Sequence, residues 1–486
     1  MVGFKRFNRF VGAIKTDELT KSALILACAG IISKCVGAVY RLLLTSVAGA
    51  EALGIYQTVF PLYCVLLTFS STGVPSGISK LVAEGENDKK LAYKSIILFG
   101  SIGFIGSLAM IKLANFLAVR QGEGAADIAY KCLAPSVFLV SVISVLRGVF
   151  QGKMNMVPTA VSQIIEQTVK AVVGVLLCLL GKTPAQKAAL AAFAVTVSEF
   201  FALLFLVVAS RQKTRVFERE RKNEQEKQAE QNAVAGMQNF CAGEQNKHIA
   251  GERTFTLNKP LTEKRKSLFS RRGELSYYKK IISIVLPVTL SALALPLLRL
   301  ADSFTVVNLL RPAFSDATGL YGLYTGGAES VVSLPVSVCY GLAAAAVPLV
   351  AHKKSVPAIK SVLSKTFVLS AFFSLAVVLF APLAVRILFY SVSPEYQNIL
   401  VNLLRFSCLN VVFLSMIQSL AAVLIALGKP FVSFVNVLAV LPLKLVLNYF
   451  LVGNPSVGVY GCAFSDTACF FVAGFLNLLY IIYCKK

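Results

Sequence analysis

The sequence predicts an all-α membrane protein with about twelve transmembrane helices in two pseudo-symmetric six-helix lobes, and three observations carry that prediction. Of 486 residues, 56% are hydrophobic and 15% charged, and the mean hydropathy is +0.71. Apolar stretches of bilayer-spanning length recur along almost the whole chain, since about 20 residues rising ~1.5 Å each cross a ~30 Å hydrocarbon core. One long hydrophilic segment interrupts them near the middle. A transmembrane barrel would show short alternating segments instead.

The first span, roughly 22–47, follows Lys5, Arg6, Arg9, Lys15 and Lys21. No small-residue cleavage site stands beside it, so it reads as an uncleaved helix with a basic cytoplasmic flank. The next five spans cover roughly 56–82, 92–118, 128–150, 157–180 and 187–210. Six more follow the hydrophilic segment, at roughly 280–309, 320–350, 359–389, 398–427, 430–452 and 458–483. The even-numbered loops hold the basic residues: Lys80, Lys89, Lys90 and Lys94, then Lys153, then Lys353, Lys354 and Lys360, then Lys429. The odd-numbered loops, near Glu51, Arg120, Lys182, Arg311 and Glu395, hold one or two at most. That bias puts both termini in the cytoplasm.

Residues 211–279 are rich in Glu, Gln, Lys, Arg and Asn. A segment this polar buries too little surface to offset its ordering entropy. It reads as a basic, largely disordered cytoplasmic linker between an N-terminal lobe (1–210) and a C-terminal lobe (280–486). Its basic runs, Lys264-Arg265-Lys266 and Arg271-Arg272, are able to meet anionic lipid at ~1 kcal/mol per charge, although a solvated linker is the simpler reading.

The halves look related. Pro61 and Pro75 of the second span match Pro335 and Pro348 of the eighth, and Gly152-Lys153 matches Gly428-Lys429. The separations are 274, 273 and 276 residues. Six spans per half give parallel repeats about an axis along the membrane normal, a device by which transporters rock two lobes about a central site.

The net charge is +24, but the Lys and Arg residues sit in short loops and the linker, which argues for a cytoplasmic bias and against nucleic acid. Eleven cysteines are scattered without a CxxC pair, so neither a metal site nor a disulfide framework is indicated. The only histidines are His248 and His352, in loops, and no HExxH, GxSxG or P-loop appears. The chain reads as no enzyme, with no cofactor.

Charges inside the spans carry the functional signal, because each costs ~2.5–3.5 kcal/mol near the bilayer centre. Lys34 and Arg41 stand seven residues apart on one face of the first span, with no acid in that span. They read as a basic stripe lining a cavity for an anionic head group, against snorkelling to the interface. Glu166 and Lys170 are spaced i,i+4, and Arg299 and Asp302 i,i+3, so each couple is able to pair on its own helix. Glu199, Glu329, Arg405, Lys444 and Asp466 stand in other spans, several near their ends. Together they imply a hydrated interior. Pro75, after Gly73-Val74, and Pro335 are expected to break or bend the second and eighth helices. Freed carbonyls in a bilayer must face protein or a wet cavity, so both helices are expected to line the cleft.

Several blocks resemble one family. They are Ile32-Ser33-Lys34 with Gly37 and Tyr40-Arg41, Gly54-Ile55-Tyr56-Gln57, Phe60-Pro61-Leu62-Tyr63, and Gly73-Val74-Pro75 with Ile78-Ser79-Lys80. Stronger is Arg147-Gly148-Val149-Phe150-Gln151-Gly152, continuing through Pro158-Thr159-Ala160 to Ser162-Gln163-Ile164-Ile165-Glu166-Gln167. In the second half stand Lys444-Leu445-Val446-Leu447-Asn448-Tyr449, then Gly458, Tyr460 and Gly461. These resemble the stage V sporulation protein B family of polysaccharide-biosynthesis flippases, in the superfamily that also holds the multidrug and toxic compound extrusion antiporters. The resemblance implies two lobes in a V around a central cavity, alternating access, and a lipid-diphosphate sugar as cargo. In related lipid II flippases basic residues of the first helix face the cavity. Lys34 matches one such position; the next family arginine falls on Tyr40, beside Arg41. Many relatives carry fourteen helices, and in lipid II flippases the last two form a lipid-tail groove.

The expected function is a monomeric flippase in a bacterial cytoplasmic membrane, moving an undecaprenyl-diphosphate-linked glycan, with a proton or sodium gradient as the driving force. Lys34, Arg41, Arg299 and Arg405 are the expected head-group contacts. Pro75, Glu166, Lys170, Asp302, Pro335 and Lys444 are the expected cavity and gating residues. The alternatives are a cation-coupled multidrug antiporter, which needs acids in the cavity and finds none in the first span, and a non-transporting scaffold of envelope or spore-cortex assembly.

Overall fold

The computed structural model describes residues 18–71, 73–84, 88–211, 271–340, 356–390 and 392–483. Among them there is no strand. The first half contributes α1 (Glu18–Ala48), α2 (Ala50–Ser71), α3 (Gly73–Ala83), α4 (Asp88–Arg120), α5 (Ala126–Gly152), α6 (Val157–Leu180) and α7 (Pro184–Arg211). The second half contributes α8 (Arg271–Leu310), α9 (Ala317–Gly322), a π-helical turn (Leu323–Ala328) and α10 (329–340). After these come α11 (Val356–Leu388), α12 (Pro394–Phe406), α13 (Cys408–Ala426), α14 (Pro430–Ala439), α15 (Leu441–Leu447), a second π-helical turn (Asn448–Val452) and α16 (Tyr460–Tyr483). Ten of the described helical runs are long and apolar enough to cross a membrane. The other two expected spans, 22–47 and 320–350, are helical over 18–48 and 317–340.

The described residues up to Leu204 and from Ile281 pack as one body, and those of Phe205–Lys280 form a second unit. The second unit is described only at its two helical edges, in α7 and α8. The interior of the expected linker, Pro348, His352 and the side chains of Lys34 and of Arg271-Arg272 lie outside the described residues.

The main body has the inside-out patterning of a lipid-solvated protein. On α4, Ile102, Phe104, Ile105, Phe116 and Val119 face outward, as do Phe367, Val368, Phe372, Leu379 and Ile387 on α11. The interior of the first half is built from alanines and buried tyrosines, including Tyr40, Tyr56, Tyr63 and Tyr130. Inside the spans, hydroxyls bond back to the preceding turn: Thr45 Oγ1 donates to the Arg41 carbonyl at 2.8 Å and Thr58 Oγ1 to that of Gly54 at 2.9 Å. This satisfies small polar groups where no water competes. At helix starts, Asp316 caps α9 by accepting from the Gly319 N–H at 2.9 Å, and Pro394 sits in the first turn of α12 after the extended Ser393.

Three helices are irregular, each for a visible reason. The second span is divided between α2 and α3, and Pro75 stands buried in the first turn of α3, where a missing N–H leaves no gap in the ladder. Pro335 is expected to break or bend its helix; α10 runs on unbroken through it to 340, and a π-helical turn over Leu323–Ala328 distorts that span. Nearby, Ser333 and Ser337 hydroxyls bond to carbonyls of Ser330 and Ser333, each at 2.8 Å. The eleventh span is split at Val440, just ahead of Pro442, and ends in the second π-helical turn.

The two halves touch at both ends of the second span. At one end α2 crosses α9 so closely that a Cβ on Gly54 would lie 1.9 Å from the backbone oxygen of Thr318. At the other end a Cβ on Gly73 would meet the Thr289 hydroxyl at 1.9 Å and the Val285 carbonyl at 2.6 Å, both on α8. Small residues permit such backbone approach in membranes. Beside the first crossing, the buried Gln121 amide donates to the Thr58 carbonyl and to Ser303 Oγ, at 3.1 and 2.9 Å, and accepts from Tyr130 Oη at 2.6 Å.

A Gly54→Val substitution is therefore expected to force α2 and α9 apart while leaving each half folded. With native cysteines replaced by alanine, a Ser303→Cys reporter should be shielded from a water-soluble maleimide when Gly54 is present and labelled in the valine variant. Equal labelling of both would refute the idea that this crossing seals that end.

Candidate functional site

Two clusters of charged residues lie inside the body, one in each half. In the first half, α5 and α6 bring Arg147 to Glu166. Arg147 Nη2 donates to Glu166 Oε2 at 3.0 Å and Arg147 Nε to Ser162 Oγ at 2.9 Å, while Gln167 Nε2 donates to Glu166 Oε1 at 2.8 Å. Glu166 is thus held by a neighbouring helix, and the pairing with Lys170 that the i,i+4 spacing allows is not made. An arginine fork from α5 outcompetes a flexible lysine on the same helix because it offers directed donors at lower entropic cost.

Lys170 turns instead to an aromatic face. Its Nζ lies 5.9 Å from the ring centroid of Tyr40, and Arg41 stacks over Phe60 at 5.4 Å. Both cations are half-buried, and among the described residues neither makes an ion pair. Their nearest charged neighbours include each other, Glu166 and the buried Glu199, to which Tyr63 Oη donates at 3.5 Å. The described cluster counts three cations (Arg41, Arg147, Lys170) against two acids (Glu166, Glu199), a surplus of one positive charge. Lys34 lies two turns before Arg41 on α1.

In the second half, α8, α15 and α16 converge on Lys444, which is 1% exposed. Its Nζ sits 2.9 Å from Asp302 Oδ2 and is also bonded to Asp466 Oδ1. Asn448, in the second π-helical turn, donates to Asp302 Oδ1 at 2.8 Å, and Tyr324, in the first, donates to Asp466. Both π-helical turns thus deliver a side chain to the same cluster, as such turns commonly do at functional sites. Asp302 does not pair with Arg299. Arg299 bonds Glu329 and stands 3.9 Å from Asp466.

The burial is graded. Lys444, Asp302 and Asp466 have side chains no more than 3% exposed, whereas those of Arg299 and Glu329 are 30% and 15% exposed. Beside the outer pair lies a small cavity of about 20 Å3, lined by Arg299, Glu329, Ser333, Ser407 and Asn410 together with Val332, Leu414 and Phe470. That is room for one water molecule, and Ser407 Oγ has no other hydrogen-bond partner. Among the described residues no group of three or more His, Cys, Asp or Glu side chains is arranged to hold a metal ion; here the aspartates meet across a lysine.

Of the expected site residues, Arg41 and Lys170 lie in the first-half cluster and Arg299 in the second. Arg405 joins neither. It is exposed at the end of α12 and makes no ion pair among the described residues. Pro75 packs under α5, and Pro335 is half-buried on α10. Sequence reasoning weighed Glu329 and Asp466 only as single charges and missed Tyr324 and the polar role of Asn448. The Gly326-Gly327 pair was the one visible sign of a distorted turn near Tyr324.

Residues 19–227 match the family described as polysaccharide biosynthesis protein. Stage V sporulation protein B of Bacillus subtilis (strain 168) is 28% identical over 342 residues, which cover 68% of this chain and 58% of that protein. The lipid II flippase MurJ of the same organism is 24% identical over 172 residues, covering 32% of each. The matches thus span less than two thirds of the length of these relatives. Among solved structures, the inward-facing conformation of a multidrug resistance MATE family transporter of the MOP superfamily aligns with a TM-score of 0.68 at 17% identity, over 93% of this chain and 96% of that one. The chain is a multi-pass membrane protein with a MATE-like fold, homologous to the sporulation protein and to MurJ.

Proposed function

From this kinship with polysaccharide-biosynthesis proteins, we propose that the chain is a flippase that carries an undecaprenyl-diphosphate-linked sugar precursor across the bacterial cytoplasmic membrane by alternating access. The observation that carries the reading is the pair Arg41 and Lys170. Each is a cation within a membrane-spanning helix, each rests on an aromatic ring, and neither has a carboxylate partner among the described residues. Their cluster carries one positive charge more than its acids balance, and an uncompensated charge at that depth costs ~2.5–3.5 kcal/mol on insertion scales, so its retention calls for an anion that arrives from outside. A diphosphate supplies it. Arg299 is the partly exposed cation of the second half, and Lys34 stands two turns before Arg41 on α1.

On this reading residues 1–210 and 280–486 are the rocking lobes, 211–279 is a cytoplasmic linker, and both termini are cytoplasmic. The α2–α9 crossing at Gly54 is the outer gate and the α3–α8 contact at Gly73 the inner one. The protein works as a monomer without cofactor or catalytic step, and a proton or sodium gradient supplies the drive.

The test is flipping of a fluorescent undecaprenyl-diphosphate disaccharide in proteoliposomes, read by a membrane-impermeant quencher. Protein-containing vesicles should expose the whole lipid pool, and empty vesicles only the outer half. A MATE-like fold also suits a drug antiporter. Proton-driven efflux of an organic cation, with no flipping of any lipid diphosphate, would replace the flippase reading by that one.

A further inference from the structure

The second-half cluster carries more charge than it balances. Asp302, Glu329 and Asp466 face Arg299 and Lys444, so among these residues acids outnumber bases by one. The deep three satisfy one another: Lys444 lies between both aspartates, Asn448 supports Asp302 and Tyr324 supports Asp466. Glu329 has no such reserve. Arg299 is its one ion-pair partner among the described residues, and Arg299, at 30%, is also the most exposed side chain of the cluster.

We propose that Glu329 is a proton site linked to the anion site: a diphosphate that engages Arg299 displaces Glu329, which then takes up a proton from bulk solvent, relayed by a water in the adjoining cavity. This rests on the flippase reading and adds the linkage. With Arg299 committed to a phosphate, Glu329 is a carboxylate in a mostly closed site with Asp466 nearby and no cation of its own. A buried, unpaired carboxylate binds a proton in preference to remaining charged. The 20 Å3 cavity lined by Ser333, Ser407 and Asn410 admits the one water needed to deliver it.

The groups facing Glu329 set the sign. Arg299 comes from α8, Asp466 from α16 and Tyr324 from the preceding π-helical turn; Lys444 on α15 stands behind the aspartates. The two cations of the cluster are thus Arg299 and Lys444. While Arg299 is free to pair, these favour ionised Glu329. Once Arg299 turns to a phosphate, Asp466 repels a second charge. The bound state therefore holds more protons than the empty one, and binding tightens as pH falls, by up to about tenfold per pH unit for one linked proton.

The experiment has two arms on the full chain in detergent. In the first, farnesyl diphosphate is titrated calorimetrically across pH, in buffers of different ionisation enthalpy, into the unmodified protein and Glu329→Gln. Titration of the ligand is common to both, so their difference reports the protein. The unmodified protein should take up close to one more proton per ligand than Glu329→Gln, which still binds. Equal proton uptake overturns the proposal. In the second, no ligand is present: Arg299→Gln removes the counter-ion, and infrared difference spectra should show a protonated carboxyl band that vanishes in the Arg299→Gln/Glu329→Gln double variant. Absence of that band overturns the proton site whatever the cargo. A band at Glu329 without binding of farnesyl diphosphate overturns the link and counts against the flippase reading, while leaving the proton chemistry of Glu329 established. Elution as a single monodisperse species shows that each variant is folded.

Discussion

Arg41→Glu and Lys170→Glu are each expected to abolish flipping of a lipid-linked diphosphate at a stability cost of only ~0.5–2 kcal/mol. The two halves of that expectation come from the same contacts. Neither cation makes an ion pair among the described residues, so removing it breaks no salt bridge. What is lost within the protein is a cation–aromatic contact worth ~0.5–2 kcal/mol. What is lost toward the cargo is larger. A charge-assisted contact to phosphate becomes a repulsion, and at an effective dielectric near 20 a pair at about 4 Å is worth ~4 kcal/mol. Even half of that lowers the rate on the order of thirtyfold for neutralisation, and reversal goes further. Arg41→Lys should keep most activity and Arg41→Gln should fall between. The measurement is the flipping rate in proteoliposomes beside the melting temperature in detergent. Full flipping by Arg41→Glu would remove the diphosphate from the site. Loss of melting temperature in step with loss of flipping would make Arg41 a structural residue.

The helices were legible in the sequence because lipid solvation leaves its mark on every residue of a span. The apolar outer faces of α4 and α11 need no partner to be recognised. The charged candidates were legible too, since an ionisable group at bilayer depth stands out by its cost. Their pairings were not. Helix periodicity reports which residues share a face, so Glu166 with Lys170 and Arg299 with Asp302 were the natural couples. In the fold the partners come from other helices: Arg147 takes Glu166 from 19 residues away, and Lys444 takes Asp302 across the second half. Such choices depend on helix rotation and crossing, which no local pattern encodes. The two π-helical turns were hidden for a similar reason. An extra residue in one turn changes the facing of Tyr324 and Asn448 without changing composition.

Lys444→Met is expected to have the opposite profile to Arg41→Glu, a collapse of stability that no assay of transport is needed to see. Lys444 joins Asp302 and Asp466 with all three side chains no more than 3% exposed. Without the ammonium, Asp466 still has Tyr324 and a distant Arg299, but Asp302 retains only the Asn448 amide. Breaking a buried pair by removing one partner typically costs ~3–5 kcal/mol, because the remaining charge is left without compensation. Most of that should return in the double variant Lys444→Met/Asp302→Asn, where the worst-stranded carboxylate is made neutral and its neighbour Asn448 can still bond it. The check is thermal unfolding in detergent, followed by the fluorescence of a maleimide that reports buried cysteines such as Cys462 and Cys469. If Lys444→Met melts with the unmodified protein, the triad is not what joins α8, α15 and α16. If instead the double variant melts as low as the single one, the lysine stabilises by packing its stem rather than by compensating charge. A full recovery places Lys444 as the fixed counter-ion of the second half. That assignment in turn explains why Arg299, and not Lys444, is the cation there left open to an arriving anion.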